Sequence, residues 1–402
     1  MSKSHFSSIL FLLLLKVGRF YAGGFFVTKK SFFLQRSGLV FFSINPIDKF
    51  EYYQSYNHTS IKKFNFGFVK KSLLVELQFS IIIPVYNRPS ELDELLKSIA
   101  KQQKGTDFEV IVVEDGSTVK SDTIVKKFET YFEIKYFFKE NSGPGDSRNF
   151  GMQKATGNYY IILDSDCILP LNYLKEVNSA LQENYIDAYG GGDKAHFSFT
   201  NKQKAINYSM TSTLTTGGIR GSETLRNKFQ LRSFNMGISK AAFLKTGGFS
   251  KQHFGEDIDL TFKLWEAEFE TQFIPNVFVY HKRRSTWQQF LRQTFNFGAA
   301  RPILNKMHPN SAKITFWFPS VFVIGLLLLI VCPKIIALIY GFYFFLIFID
   351  SLLKNKSIIV AVQSIYATVI QFIGYGTGFL RSIFRIKVQK KSVKETFPRM
   401  FG

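Results

Sequence analysis

Two cysteines in 402 residues, Cys167 and Cys332, are too few for a disulfide framework. No CxxC pair or Cys/His cluster accompanies them, which excludes a structural zinc site and fits a reducing compartment. Charged residues are scarce at 20%, but hydrophobic residues reach 46%, so wholesale disorder is excluded. No glycine-rich stretch ends in Gly-Lys-Ser/Thr, so a Walker-type phosphate loop is absent, and no internal repeat is found. Tryptophan is rare at 3 residues, whereas phenylalanine reaches 46, gathered in the first 80 residues and in the apolar runs near the C-terminus.

Acidic residues are missing chiefly from the two ends. The formal net charge of +21 divides into +8 for residues 1–78, +4 for 79–310 and +9 for 311–402. A nucleic-acid binder concentrates charge on the domain that reads the polymer. Here the charge flanks apolar segments, as expected beside an anionic membrane surface, and nucleic acid is not an expected partner.

Three regions follow. Residues 1–78 form an N-terminal extension of uncertain order. Its apolar run Ile9–Leu15 is a weak match to a signal peptide, is followed by Lys16 and Arg19, and is too short to span a bilayer. In residues 79–310 strands alternate with helices. Phe79–Pro84, Glu109–Val113, Ile134–Phe138 and Tyr159–Leu163 read as strands, with helices over Leu92–Ile99 and around Ser121–Phe128, which predicts a doubly wound α/β sheet. In residues 311–402 the apolar segments 314–331 and 335–349 read as a transmembrane hairpin. A third, 358–380, has Lys354 and Lys356 on one side and Arg381 and Arg385 on the other, which suits a re-entrant or interfacial segment better than one clean crossing. A basic tail follows.

Ligands of doubly wound sheets sit beyond the strands' carboxyl ends, and the polar motifs fall there. Pro84-Val-Tyr-Asn-Arg88 ends the first strand and Glu114-Asp115-Gly116-Ser117 the second. A carboxylate at the second position can accept hydrogen bonds from a base or ribose, though a polar turn after a strand is also common. Asp164-Ser165-Asp166 follows the fourth strand. On an extended chain its two carboxylates point the same way and repel, which suits Mg²⁺ or Mn²⁺ together with diphosphate oxygens; the alternative is a solvated turn. Gly247-Gly-Phe-Ser250 precedes Glu256-Asp-Ile-Asp259, where acids at a helix start serve capping and the dipole, or a general base. His281 is a candidate metal ligand, a diphosphate contact or a structural histidine. The cluster Lys282-Arg283-Arg284 can face a diphosphate, lipid phosphates or solvent. Gly190–His196 and Thr215–Gly221 are either mobile loops over a substrate or ordinary connections.

The ordered set IIIPVYNR, VVEDGS, NSGPGDSRNFG, ATGNYYIILDSDC, GGFS and FGEDIDL resembles the family 2 glycosyltransferases of the GT-A fold over residues 79 to about 300. The resemblance implies a nucleotide-binding half, 79–168, and an acceptor half, 169–310. It implies nucleotide-sugar contacts by Pro84, Tyr86, Asn87 and Asp115, with Arg148, of the Arg148-Asn149 pair, at the nucleotide or diphosphate. Glu114 stands where the family usually has Asp. Asp164-Ser165-Asp166 matches the D-x-D motif that holds donor and metal, with Asp166 the closer metal contact, Asp164 beside it and His281 a further candidate. Asp257 matches the base that deprotonates the acceptor, and Glu256 its orienting neighbour. The expected protein is an inverting, Mn²⁺- or Mg²⁺-dependent glycosyltransferase. It would take a UDP- or GDP-linked sugar to a hydroxyl of a glycan or lipid-linked acceptor, in surface polysaccharide or glycolipid synthesis. Its expected place is the inner (cytoplasmic) membrane, catalytic domain facing the cytoplasm. A sugar transferase acting on polyprenyl phosphate and a non-catalytic nucleotide- or glycan-binding membrane scaffold are the alternatives.

Overall fold

The computed structural model describes residues 76–103, 105–216 and 228–401, together with the backbone of four strands nearer the N-terminus. The apolar run Ile9–Leu15 and residues 217–227, with most of the second glycine-rich stretch, lie outside the described residues.

Two units are distinguished, Met1–Val75 and Glu76–Gly402. In the first, β1 (Lys30–Gln35), β2 (Gly38–Asn45), β3 (Lys49–Tyr56) and β4 (Ser60–Asn65) form an antiparallel meander in chain order, where the sequence shows no sustained period.

The second unit is built on an eight-stranded sheet. Its strands are β5 (Phe79–Val85), β6 (Phe108–Asp115), β7 (Glu133–Lys139), β8 (Tyr159–Leu163), β9 (Cys167–Ile168), β10 (Ala188–Lys194), β11 (Asn235–Ser239) and β12 (Thr271–His281), in the order β7-β6-β5-β8-β11-β10-β12-β9. The β7–β8 stretch is parallel, while β11 runs antiparallel to both neighbours, so the sheet is the mixed α/β sheet of the GT-A type. The unbroken apolar runs of the central strands follow from burial on both faces. Side chains alternate between faces. Ile81, Ile83, Val110, Val112 and Ile161 pack into one core, while Ile82, Ile111, Val113 and Ile162 pack into the other. The parallel register brings Pro84 level with Val113, so the polar ends of β5 and β6 stop side by side.

Gly190, Gly191 and Gly192 lie inside β10 rather than in a loop. A Cβ on Gly191 would collide with the Val277 carbonyl and the Asn235 amide, so close backbone approach explains that glycine.

The C-terminal region corrects the expected hairpin. The run 314–331 is split into a short 3₁₀ turn, Ile314–Trp317, and an eleven-residue helix, Phe318–Leu328. At 1.5 Å per residue that helix is about 17 Å long, too short to cross a bilayer. Among the described residues two helices are long and apolar enough to cross a membrane, Pro333–Asn355 and Ile358–Val388. The first continues past the apolar run through Asp350, whose carboxylate accepts from Tyr208 Oη at 2.7 Å and Lys354 Nζ at 2.9 Å. Of the first helix's apolar stretch 11% is buried, against 44% for the second, which packs along helix Trp287–Met307.

That packing depends on glycine. Cβ atoms on Gly298, Gly374 or Gly378 would each collide with atoms of the facing helix, whereas Gly341 has open space around it. Gly378→Leu should therefore destabilise the fold by about 1–3 kcal/mol, as overpacking does. Gly341→Leu should leave the melting temperature in detergent unchanged; equal melting of the two variants would refute the contact.

Candidate active site

The carboxyl ends of β5, β6 and β8 meet the end of β12 and the start of helix Glu256–Glu266 around a cavity of about 680 Å³. Pro84, Tyr86 and Arg88 line one side, with the Tyr86 ring half exposed. Asn87 is absent from the lining. Its backbone is left-handed (φ 53°), and its Oδ1 accepts from Thr118 N at 2.9 Å and Val119 N at 3.2 Å, which clamps the turn after β6.

Neighbours on a strand face opposite ways, which separates the acidic pair of β6. Glu114 is buried away from the cavity and holds the turn through Ser117 Oγ and Ser121 N, the latter at 2.8 Å. Asp115 lines the cavity. Its carboxylate accepts from Lys139 Nζ at 2.5 Å and from Ser142 N and Gly143 N at 3.0 Å.

After β8 the chain turns at once, with Cys167 N donating to Asp164 O at 3.1 Å. The expected extended geometry of Asp164-Ser165-Asp166 is therefore corrected: the two carboxylates take different partners. Asp164 accepts from Arg148 Nη2 at 2.7 Å, and Arg148 Nη1 donates to Glu256 Oε1 at 3.0 Å. One buried guanidinium, packed over the Phe249 ring, thus ties the end of β8 to the start of helix Glu256–Glu266. Its neighbour Asn149 clamps Phe249 from both sides of its amide, at 2.8 and 2.9 Å. Ser165 is buried in the turn and lines the cavity.

Asp166 pairs with Arg88 through Oδ2, while His281 Nε2 lies 3.1 Å from Oδ1. Burial alone would raise its carboxyl, but the positive charge of His281, Arg88 and Arg284 outweighs burial and brings it below the ordinary value. Among the described residues Asp166 Oδ1 has no aligned hydrogen-bond donor and His281 Nδ1 has no partner, although both atoms are buried. A bare carboxylate oxygen facing an imidazole nitrogen fits a divalent cation, and imidazole suits Mn²⁺ better than Mg²⁺. Cys167 is within 4.8 Å of both, but burial pushes its thiol up, and its Sγ donates to Phe234 O. The fitting pair is Asp166 and His281, with Asp164 on the same wall.

The three acids of the helix's first turn divide their work. Asp259 is held by Ser250 Oγ at 2.6 Å and His308 Nε2 at 2.8 Å. Glu256 is held by Arg148. Asp257 lines the cavity, accepts from Ile258 N at 2.8 Å and has Arg232 Nη1 at 4.0 Å. Burial, helped by the Asp257 charge and opposed by Arg148, pushes Glu256 up to about 7. A carboxyl raised on folding contributes stability that is complete below its unfolded pKa of about 4.5 and lost as pH rises through the folded value. The melting temperature should therefore fall between pH 5 and 8, and fall less in Glu256→Gln; parallel profiles would refute the shift.

The basic cluster also divides. Lys282 pairs with Glu94 at 2.6 Å, Arg283 is buried against Asp193 and Asn207, and Arg284 lines the cavity. Sequence reasoning missed Arg232 and one face of helix Trp287–Met307, namely Gln289, Arg292, Gln293 and Asn296. The signal was a polar stripe at helical spacing on a helix begun by a Thr286/Gln289 capping box.

Residues 80–249 match the family model Glycosyl transferase family 2, and this stretch is a family 2 glycosyltransferase domain. Poly(ribitol-phosphate) β-N-acetylglucosaminyltransferase TarS of Staphylococcus aureus is 36% identical over 114 residues, 28% of this chain and 20% of that protein. The GalNAc(5)-diNAcBac-PP-undecaprenol β-1,3-glucosyltransferase of Campylobacter jejuni is 24% identical over 230 residues, 56% of this chain and 69% of that protein. Matches to the first curated relatives thus span about a fifth of their length or less. The mannosyltransferase PcManGT of Pyrobaculum calidifontis, solved with GDP-Man and Mn²⁺, aligns over 73% of this chain and 86% of its own at 14% identity and a TM-score of 0.47.

Proposed function

From a family 2 glycosyltransferase domain as premise, we propose that this chain is an inverting, metal-dependent glycosyltransferase of a membrane surface. It moves a sugar from a UDP- or GDP-linked donor to a hydroxyl of a glycan or lipid-linked acceptor. The observation that carries this reading is Asp257. Of three acids on one helical turn it alone keeps a carboxylate not engaged by a buried cation or histidine, and it faces the cavity lined by Asp115, Arg148, Asp164 and Asp166.

In this scheme Asp115 and the Pro84–Tyr86 segment take the nucleoside, with the exposed Tyr86 ring available for stacking. Arg88, Arg148 and Arg284 face the diphosphate. A Mn²⁺ or Mg²⁺ ion on Asp166 and His281 supplies charge neutralisation at that diphosphate. Asp257 removes the acceptor hydroxyl proton as the acceptor oxygen bonds to the anomeric carbon and the bond to diphosphate breaks. One displacement inverts that centre, with base and leaving group on opposite faces. Glu256 keeps Arg148 oriented.

The helices Pro333–Asn355 and Ile358–Val388 would hold the domain at the inner membrane, facing the cytoplasm where nucleotide sugars are made. The basic tail beyond Arg381 suits that side. The Campylobacter relative's named substrate is lipid-linked, which agrees with assembly of a surface glycan at a membrane.

Calorimetric titration of the detergent-solubilised protein with UDP, GDP and CMP, each with and without Mn²⁺, tests the donor half. One nucleotide should bind only with the metal. Absence of binding in folded protein would favour a scaffold instead.

A further inference from the structure

A second cavity, of about 610 Å³, adjoins the first and shares Arg232, Gly255 and Asp257 with it. Its character is different. Ala300 of helix Trp287–Met307 is among its walls, as are Phe316, Trp317 and Val321 of the split apolar segment 314–328. Val321 and Phe318 are exposed at 60% and 49%, so apolar surface continues outward from the cavity.

Arg301 is the charged group of this lining that the first cavity does not share. Arg301 is 7% exposed, and its Nη1 has no hydrogen-bond partner among the described residues. Its guanidinium lies over the Phe316 ring at 4.2 Å. Gln371 Oε1, also in the lining, is likewise unpartnered. Burial lowers the Arg301 pKa, and repulsion from Arg232 adds to this against the opposing pull of Tyr375, which is hydrogen-bonded to Arg301, and of Asp257. Asp257, 4.0 Å from Arg232, supplies one negative charge against the two guanidinium charges. A buried cation with an unused donor is costly unless an anion meets it. The requirement is an anion attached to something apolar.

We propose that this second cavity binds a lipid phosphate, with the phosphate or diphosphate on Arg301 and Arg232 and the hydrocarbon chain leaving past Phe316 and Val321. The proposal rests on the glycosyltransferase reading and deepens it, because the lipid then presents its acceptor group at Asp257, where the two cavities meet. The free headgroup and an uncharged amphiphile are the competing occupants. An inorganic phosphate lacks the chain, and an alcohol lacks the anion.

The full chain in maltoside detergent is titrated with farnesyl phosphate, farnesol and inorganic diphosphate, following calorimetry and the emission of Trp317. Farnesyl phosphate should bind saturably, and at least about tenfold more tightly than either of the others, as expected for one charge-assisted contact added to apolar burial. Arg301→Gln should weaken farnesyl phosphate by about tenfold and leave farnesol unchanged. Val321→Asp keeps the fold intact at an exposed position and should weaken farnesyl phosphate by placing a like charge at the mouth. Equal affinity for farnesol, equal affinity for diphosphate, or unchanged binding by both variants would overturn the site. UDP and GDP binding with Mn²⁺, measured on the same sample, separates the failures. Nucleotide binding without farnesyl phosphate binding overturns the lipid site alone, and loss of both overturns the glycosyltransferase reading.

Discussion

Asp257→Asn is expected to lower sugar transfer by about 10²–10⁴-fold while nucleotide affinity stays within about twofold, the range that a positioned base contributes. The substitution is nearly isosteric, and an amide oxygen can still accept from Ile258 N, so the helix start keeps its geometry. Only the ability to take a proton is lost. Glu256→Gln should behave differently, because Glu256 faces Arg148 and its loss loosens a buried guanidinium before it affects any proton transfer. The check is a single-turnover assay beside a nucleotide titration. Normal turnover by Asp257→Asn would remove the base, and with it the observation on which the functional proposal stands.

The second large effect concerns Asp166. Asp166→Ala should reduce Mn²⁺-dependent nucleotide affinity by about 100-fold or more, exceeding the 10–100-fold that loss of an outer-shell partner typically costs. In its absence Arg88, Arg284 and His281 lose the carboxylate that they share, and Asp164 remains as a counter-charge to the two arginines. Metal-free diphosphate should then bind the variant at least as well as wild type, so metal dependence, rather than all binding, is lost. Asp164→Ala should instead leave Arg148 half-paired and lower stability, because removing one partner of a buried ion pair costs about 3–5 kcal/mol. Calorimetry with and without Mn²⁺ distinguishes the two variants. Unchanged metal dependence in folded Asp166→Ala would refute the Asp166–His281 pair as the metal holder.

The contrast between Asp164 and Asp166 shows where local reasoning ends. Sequence placed both carboxylates after a buried strand, and they are there. It also placed them on one side, assuming the strand's alternation continued, whereas a turn closing on Asp164 O sends them to different partners. Glu114 and Asp115 went the other way: the strand did continue, and alternation alone separates the turn organiser from the cavity carboxylate. Asn87 matched a motif yet serves the neighbouring turn, which depends on a left-handed backbone that the motif does not reveal.

The apolar C-terminal region behaves in the same way at larger scale. Apolar runs were legible at 314–331, 335–349 and 358–380, but which of them form long helices depended on partners elsewhere. Asp350 is carried within a helix and bonded by Tyr208, and helix Ile358–Ile383 is half buried because Gly298 and Gly378 let two backbones approach.

By itself the sequence determined the α/β class, the sites of the polar motifs at strand ends and the apolar character of the C-terminal region. Each follows from hydrophobic periodicity and turn chemistry acting over a few residues. Only the tertiary structure decided which acid meets which cation. Arg148 reaches Glu256 across 108 positions, and His281 meets Asp166 because the end of β12 pairs with β9 at Cys167. A charged side chain's role depends on what the fold sets within about 4 Å of it, and that distance has no counterpart in linear spacing.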